Sequence, residues 1–250
     1  MKIQICSDLH LEYAVNQHWI KENPLRPVGD VLLIAGDVYH LDKRYELLDF
    51  IQVVAEQFEE VYLIPGNHEY YNGYDLATAL SETHLKIKEN VHLVNNKAIQ
   101  IGGVNFVFTT LWTSVEREIE MIVSRMPDFH QIPFNGGLLS VDNYNRVHNY
   151  CFDFLKTSLR SDMKNVVVSH HLPSRFCNAA EFKDSPMNEA FCVDKTEFIK
   201  EANIDYWVYG HSHRNLQDFE IGGTQLLTNQ LGYLDWGEHH TFQLDKFFEV

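Results

Sequence analysis

The sequence predicts an α/β fold, and three observations carry that prediction. Short apolar runs without alternation, such as Val31-Leu32-Leu33-Ile34-Ala35, mark strands buried on both faces. Between such runs lie longer stretches with helical spacing, as from Tyr45 to Phe58, where Leu48, Ile51, Val54, Ala55 and Phe58 share one side. The chain has 250 residues, 45% of them hydrophobic and 22% charged, which is ample material for a buried core.

In order, Lys2 to Cys6, Asp30 to Ala35 and Val61 to Ile64 read as strands. Tyr45 to Phe58 and Leu76 to Lys88 read as helices. Ala98 to Leu111 places Gly102-Gly103 between two apolar runs, a hairpin signal that Ile221-Gly222-Gly223-Thr224 repeats near the C-terminus. Glu116 to Met126 and Tyr144 to Leu159 look helical, while Val166 to Val168 and Tyr206 to Val208 are two further buried strands. No linker, repeat or low-complexity tract interrupts this order, so residues 1–250 are read as one domain.

Charge narrows the function. Twenty Lys and Arg against 35 Asp and Glu give −15, with 14 histidines counted as neutral. This composition excludes a disordered or collagen-like chain, and it argues against a sequence-blind nucleic-acid binder, which needs clustered basic residues. Cys6, Cys151, Cys177 and Cys192 show no CxxC spacing, so neither a zinc knuckle nor a redox pair is indicated. The N-terminal apolar run breaks at Asp8, too soon for a signal peptide, and no segment is long and apolar enough to cross a membrane. The expected setting is a soluble, reducing cytoplasm.

Five predicted strands end in polar signatures: Asp8-Leu9-His10, Gly36-Asp37, Gly66-Asn67-His68-Glu69, Ser169-His170-His171 and Gly210-His211-Ser212-His213. Ligands of α/β sheets gather outside the carboxyl ends of the strands. Carboxylates, imidazoles and an amide oxygen without thiolate suit manganese, iron or zinc, and there are enough of them for two ions. Glycines before Asp37, Asn67 and His211 permit tight turns and close backbone approach. Asp-x-His and Gly-Asp alone are weak signals; Gly-Asn-His-Glu and Gly-His-x-His are rarer, and all five in order are strong.

These motifs resemble those of the calcineurin-like metallophosphoesterase family, nearly the whole way from Asp8 to the segment Asn229 to Tyr233. The extended first motif, Asp8-Leu9-His10-Leu11-Glu12, is similar to a bacterial single-domain branch of it. The resemblance implies a four-layer α/β/β/α sandwich. It implies that Asp8, His10 and His213 hold one metal, that Asn67, His170 and His211 hold a second, and that Asp37 bridges them. It makes His68 the catalytic group that protonates the leaving oxygen or stabilises the phosphoryl charge, with Glu69 orienting the His68 ring. Where purple acid phosphatases have a ferric-binding tyrosine, three residues after Asp37, this chain has His40, which speaks against a purple ferric site.

Two divalent ions set against Asp8, Asp37 and a bridging hydroxide leave a centre of about +1, able to attract a phosphate within an acidic protein. The expected activity is therefore a binuclear phosphohydrolase in which the bridging hydroxide attacks a small phosphoester, a phosphodiester being slightly favoured over a monoester. Two alternatives remain at this point: a catalytically silent metal-site scaffold for protein partners, and a nuclease. His171 is left open between lining the pocket and packing, and Arg175 and Arg214 between binding phosphate and facing solvent. Glu12 is read as a helix-start carboxylate and set aside. Oligomeric state, metal identity and the physiological substrate are not legible.

Overall fold

The apolar runs pair into two six-stranded sheets, described over residues 1–42 and 45–250 of the computed structural model. The first comprises β1 (Lys2–Cys6), β2 (Val31–Ile34), β3 (Glu60–Leu63), β4 (Thr83–Lys88), β5 (Val91–Asn95) and, from the far end of the chain, β14 (Phe247–Glu249). The second comprises β6 (Lys97–Ile101), β7 (Val104–Phe108), β10 (Lys164–Val168), β11 (Tyr206–Tyr209), β12 (Phe219–Ile221) and β13 (Thr224–Thr228); β8 (Pro133–Phe134) and β9 (Gly137–Leu138) form a small separate ribbon. Their orders are β14-β1-β2-β3-β5-β4 and β12-β13-β11-β10-β7-β6. Each sheet has four parallel central strands and an antiparallel strand at either edge.

The pleat explains the layers. Alternate residues of the first sheet (Ile3, Ile5, Val31, Leu33, Tyr62) meet Phe106, Phe108, Val166, Val168 and Val208 of the second in one core. Their neighbours Cys6, Leu32, Ile34, Val61 and Leu63 point the other way, where Ile20 of α1 (Ala14–Glu22) and Phe50, Ile51 and Val54 of α2 (Asp49–Gln57) cover them. On the outer face of the second sheet, Val107, Val167, Trp207 and Tyr209 pack with Leu155 of a long helix, Val141–Ser158, and Ile199 of a short one, Thr196–Glu201. The result is the expected helix–sheet–sheet–helix sandwich. Both glycine-pair hairpins form, with Gly102, Gly103, Gly222 and Gly223 at positive φ, as a tight two-residue turn requires.

Two expected helices change. Tyr45 to Phe58 is a 3-10 turn over Tyr45–Leu47 followed by α2, separated at Leu48, whose ψ of 129° is not helical. Leu76 to Lys88 is not a helix: Leu76–Leu80 form a 3-10 turn capped by Asp75, and Thr83–Lys88 become the edge strand β4. The reason is visible in Leu85 and Ile87 alternating with His84, Lys86 and Lys88, a period of two that pairs with β5. Helix α1 was not expected, because it buries only Asn16 and Ile20. Among the described residues, no helix is long and apolar enough to cross a membrane.

Candidate metal centre

Because β1, β2 and β3 are neighbours in one sheet and β10 and β11 in the other, all five motif loops leave at the same edge of the sandwich. The two sheets are joined there by the Ser7 N–H, which donates to Asn229 O at 3.0 Å beside an isolated parallel bridge between Ser7 and Gln230. The loops turn sharply. Half of the ten non-glycine residues at positive φ among those described are Asp8, His10, Asp37, His211 and His213, with φ between 48° and 76°. Such backbone costs about 1 kcal/mol or more per residue and persists at sites where side-chain placement matters more than local stability. Glycine is needed at Gly66, where a Cβ would lie 2.2 Å from Asp37 Oδ1, and at Gly36, whose φ is +91° and whose Cβ would lie 2.6 Å from His170 Nδ1.

Two of the donor groups that result share Asp37. Ligand atoms of Asp8, His10, Asp37 and His213 lie within 4.8 Å of one another, and so do those of Asp37, His170 and His211. Asp37 Oδ2 is 3.7 Å from His10 Nε2 and 3.4 Å from His170 Nε2, while Oδ1 accepts the His68 backbone N–H at 2.9 Å. His10 Nε2 faces His213 Nε2 at 2.9 Å, and His213 Nε2 lies 3.4 Å from Asp8 Oδ1. In the second group His170 Nε2 is 3.2 Å from Asn67 Oδ1 and 3.1 Å from His211 Nδ1. Adjacent ligand atoms around an octahedral ion with bonds of roughly 2.1 Å stand about 3 Å apart, so these spacings fit cations.

The rest of each side chain is fixed in a way that leaves a lone pair for an ion. His10 Nδ1 lies 3.0 Å from Glu12 Oε1, His213 Nδ1 2.8 Å from Glu238 Oε2, and His170 Nδ1 2.8 Å from Ala35 O. Each acceptor holds a proton on Nδ1 and turns Nε2 inward as the nitrogen a cation would take, the arrangement metal-binding histidines need. Asn67 is oriented likewise: its amide NH2 donates to Asp128 Oδ1 at 3.0 Å and to the Tyr71 hydroxyl at 3.1 Å, which leaves Oδ1 for the centre. Asp8 accepts from Ser7 Oγ at 2.5 Å and from the His211 N–H at 2.9 Å. The donors present thus fit two ions of the manganese, iron or zinc type in charge and kind.

Without cations, the cluster balances itself with protons. Burial disfavours charge on His170 and His213, yet the adjoining carboxylates win, Asp37 at the first and Asp8 with Glu238 at the second, and both rise to about 9. Burial raises Asp37, but His170 and His68 outweigh it and hold the carboxyl well below its usual range. His211 goes the other way: burial, with His171 and His170 beside it, lowers it well below the ordinary imidazole value. Protons on His170 and His213 occupy the positions that cations would take.

The structure brings together every residue the motifs pointed to, with one reassignment. Glu69 does not orient His68. Its carboxylate accepts backbone N–H groups of Asp37 at 3.0 Å, Val38 at 2.8 Å and Gly66 at 2.7 Å, so it ties the second and third loops together; burial and the Asp37 charge raise it to about 7. The carboxylate on the His68 ring is Glu12, whose Oε1 lies 2.7 Å from His68 Nδ1. Glu12 was set aside as a helix-start carboxylate, but α1 begins at Ala14 with no acidic residue in its first turn, and Glu12 joins the centre instead; Asp128, Glu238 and Tyr233 were missed. Glu12 stands two places after His10, a signal within the first motif; Asp128 and Glu238 are isolated in sequence and reach the centre only through folding. His171 is buried and packs tilted between Trp112 and His211, with ring centroids 5.2 and 4.2 Å away. Arg214 is ion-paired with Glu181 and Glu238, both at 2.8 Å, and Arg175 with Asp194 at 3.6 Å.

A protein of Acanthamoeba polyphaga mimivirus that carries no functional name is 28% identical over 262 residues, covering 92% of this chain and 91% of its own. An uncharacterized metallophosphoesterase of Helicobacter pylori is 24% identical over 111 residues, which is 42% of this chain and 28% of that protein. Among solved structures, the phosphopantetheinyl hydrolase of Mycobacterium tuberculosis superposes with a TM-score of 0.68 at 17% identity over 99% of this chain and 95% of that one, a likeness of fold. The family model described as calcineurin-like phosphoesterase matches residues 1–215, and the chain belongs to that family of metal-dependent phosphoric ester hydrolases.

Proposed function

We propose that the centre hydrolyses a small phosphoester by in-line displacement, with a phosphodiester preferred, and that His68 is its general acid. Asp8, His10 and His213 would hold one cation, Asn67, His170 and His211 the other, and Asp37 both. Two bound cations would supply positive charge to the phosphoryl oxygens and acidify a water for attack. The observation that carries the reading is the placement of His68. Its ring stands 4.4 Å from the His10 ring, Nδ1 is anchored on Glu12, and Nε2 faces the Tyr233 hydroxyl 3.3 Å away, whose ring packs on His10 and His213. With Asp37 committed to cations, Glu12 is the carboxylate that keeps a proton on Nδ1 and favours a second on Nε2. Nε2–H can then be given to the departing alkoxide.

The diester preference rests on charge. A monoester dianion asks for cationic side chains beyond the metals, and the two arginines beside the motifs are already paired with Glu181, Glu238 and Asp194. A diester monoanion asks for less. The test is a pair of rates on Mn²⁺-loaded protein. We expect bis-p-nitrophenyl phosphate to be cleaved with the higher kcat/KM; a higher value for p-nitrophenyl phosphate would reverse the preference and point to sugar phosphates or nucleoside monophosphates.

A further inference from the structure

Tyr233 stands against the candidate ligands of one cation, with its ring centroid 4.5 Å from that of His10 and 4.6 Å from that of His213. Two more aromatic rings continue outward from it. Tyr13 lies edge-on at 5.5 Å, and Trp236, closing the 3-10 turn Leu234–Trp236, at 5.1 Å. Both are open to solvent: Tyr13 is 46% and Trp236 76% exposed. A tryptophan ring left in water beside a reactive centre forgoes the large gain of burial, and that surface is available to a flat partner.

Direction adds to placement. Because Tyr233 Oη is 3.3 Å from His68 Nε2, the atom proposed to protonate the leaving oxygen, the three rings extend from the side on which the leaving group departs. We infer that Tyr13, Tyr233 and Trp236 form an aromatic shelf for the leaving arm of the substrate, and that the arm carries a nucleobase, which makes the substrate class a small nucleoside phosphate. Planar rings stack on exposed aromatic side chains whatever the base, and the hydroxyl of Tyr13 can meet base-edge polar atoms as an aliphatic wall could not. The inference rests on the phosphohydrolase reading and narrows it.

The test compares two ligands that differ only by the base. AMP and ribose 5-phosphate are each titrated as inhibitors of bis-p-nitrophenyl phosphate hydrolysis by Mn²⁺-loaded protein. AMP is expected to bind at least about ten-fold more tightly, as stacking on an aromatic platform provides. Trp236→Ala and Tyr13→Ala should each close much of that gap and shift ribose 5-phosphate little; both side chains are exposed, so the fold tolerates their loss. AMP alone should also quench tryptophan fluorescence, since Trp112 and Trp207 are fully buried and Trp19 packs against His239 and Phe242. Equal inhibition constants, or variants that weaken both ligands alike, overturn the shelf and leave the hydrolase reading standing. If the protein does not cleave the reporter at all, that reading fails, and the fluorescence titration still decides for or against base stacking.

Discussion

Glu12 shows how much one carboxylate can organise. A single oxygen, Oε1, lies 3.0 Å from His10 Nδ1 and 2.7 Å from His68 Nδ1, so a candidate metal ligand and the proposed acid share one anchor. Burial raises the Glu12 carboxyl, and the two imidazoles overcome that and bring it down to about 2, so it stays ionised across the working range. Glu12→Ala frees both rings. Turnover of bis-p-nitrophenyl phosphate at saturating Mn²⁺ should fall by about 10- to 100-fold, the usual cost of losing such a support, and the Mn²⁺ concentration needed for half activity should rise. Glu12→Gln keeps an acceptor oxygen and should recover part of both. An alanine variant with wild-type turnover would show that His68 needs no anchor.

At the scale of elements, what could be read from the sequence was what has a short period. Buried strands announce themselves as apolar runs, and the five polar tails follow directly on them, so the α/β class and the candidate ligands were legible from Asp8 to His213, whereas the sandwich was what the family resemblance implied. Glycines close to the reactive groups were legible too, and Gly66 owes its place to contacts with Asp37 and His170 that no side chain could share. Errors came where two periods compete. Thr83–Lys88 combines helix-compatible Leu and Lys with strict alternation, and pairing with β5 decides for the strand. Contacts far apart along the chain had no signal at all. Asp128 holds Asn67 across 61 positions and Glu238 holds His213 across 25, and only folding reveals either. Glu69 was misassigned for the opposite reason: standing next to His68 in sequence, it turns away to collect three backbone N–H groups.

For the molecule as a whole, the balance between protons and cations sets pH behaviour. His170 and His213 rise to about 9 in the folded, metal-free protein, from an unfolded value of about 6.5. Their contribution to stability is therefore complete below about pH 6.5 and is lost as pH rises through about 9. Cations at the proposed positions would displace the same protons, so the metal-loaded protein should not share that loss. Thermal unfolding between pH 6.5 and 8.5, with chelator or with Mn²⁺, should show the gap in midpoint widening as pH rises. Parallel curves would mean that protons and metals do not compete for the two histidines. The same competition would let a chain of charge −15 take an anion: the carboxylates Asp8, Asp37, Glu12 and Glu238 would attract cations first, and the cations would attract the phosphate.

On this reading the five loops hold two metal ions, and His68 works beside them without holding either. The most direct measurement is metal content together with kcat for His68→Ala, each against the wild type. We expect two ions per chain in both proteins and a kcat for bis-p-nitrophenyl phosphate lower by about 100-fold or more in the variant, the range for loss of a general acid. A variant that loses metal, or one that keeps its turnover, would contradict the account.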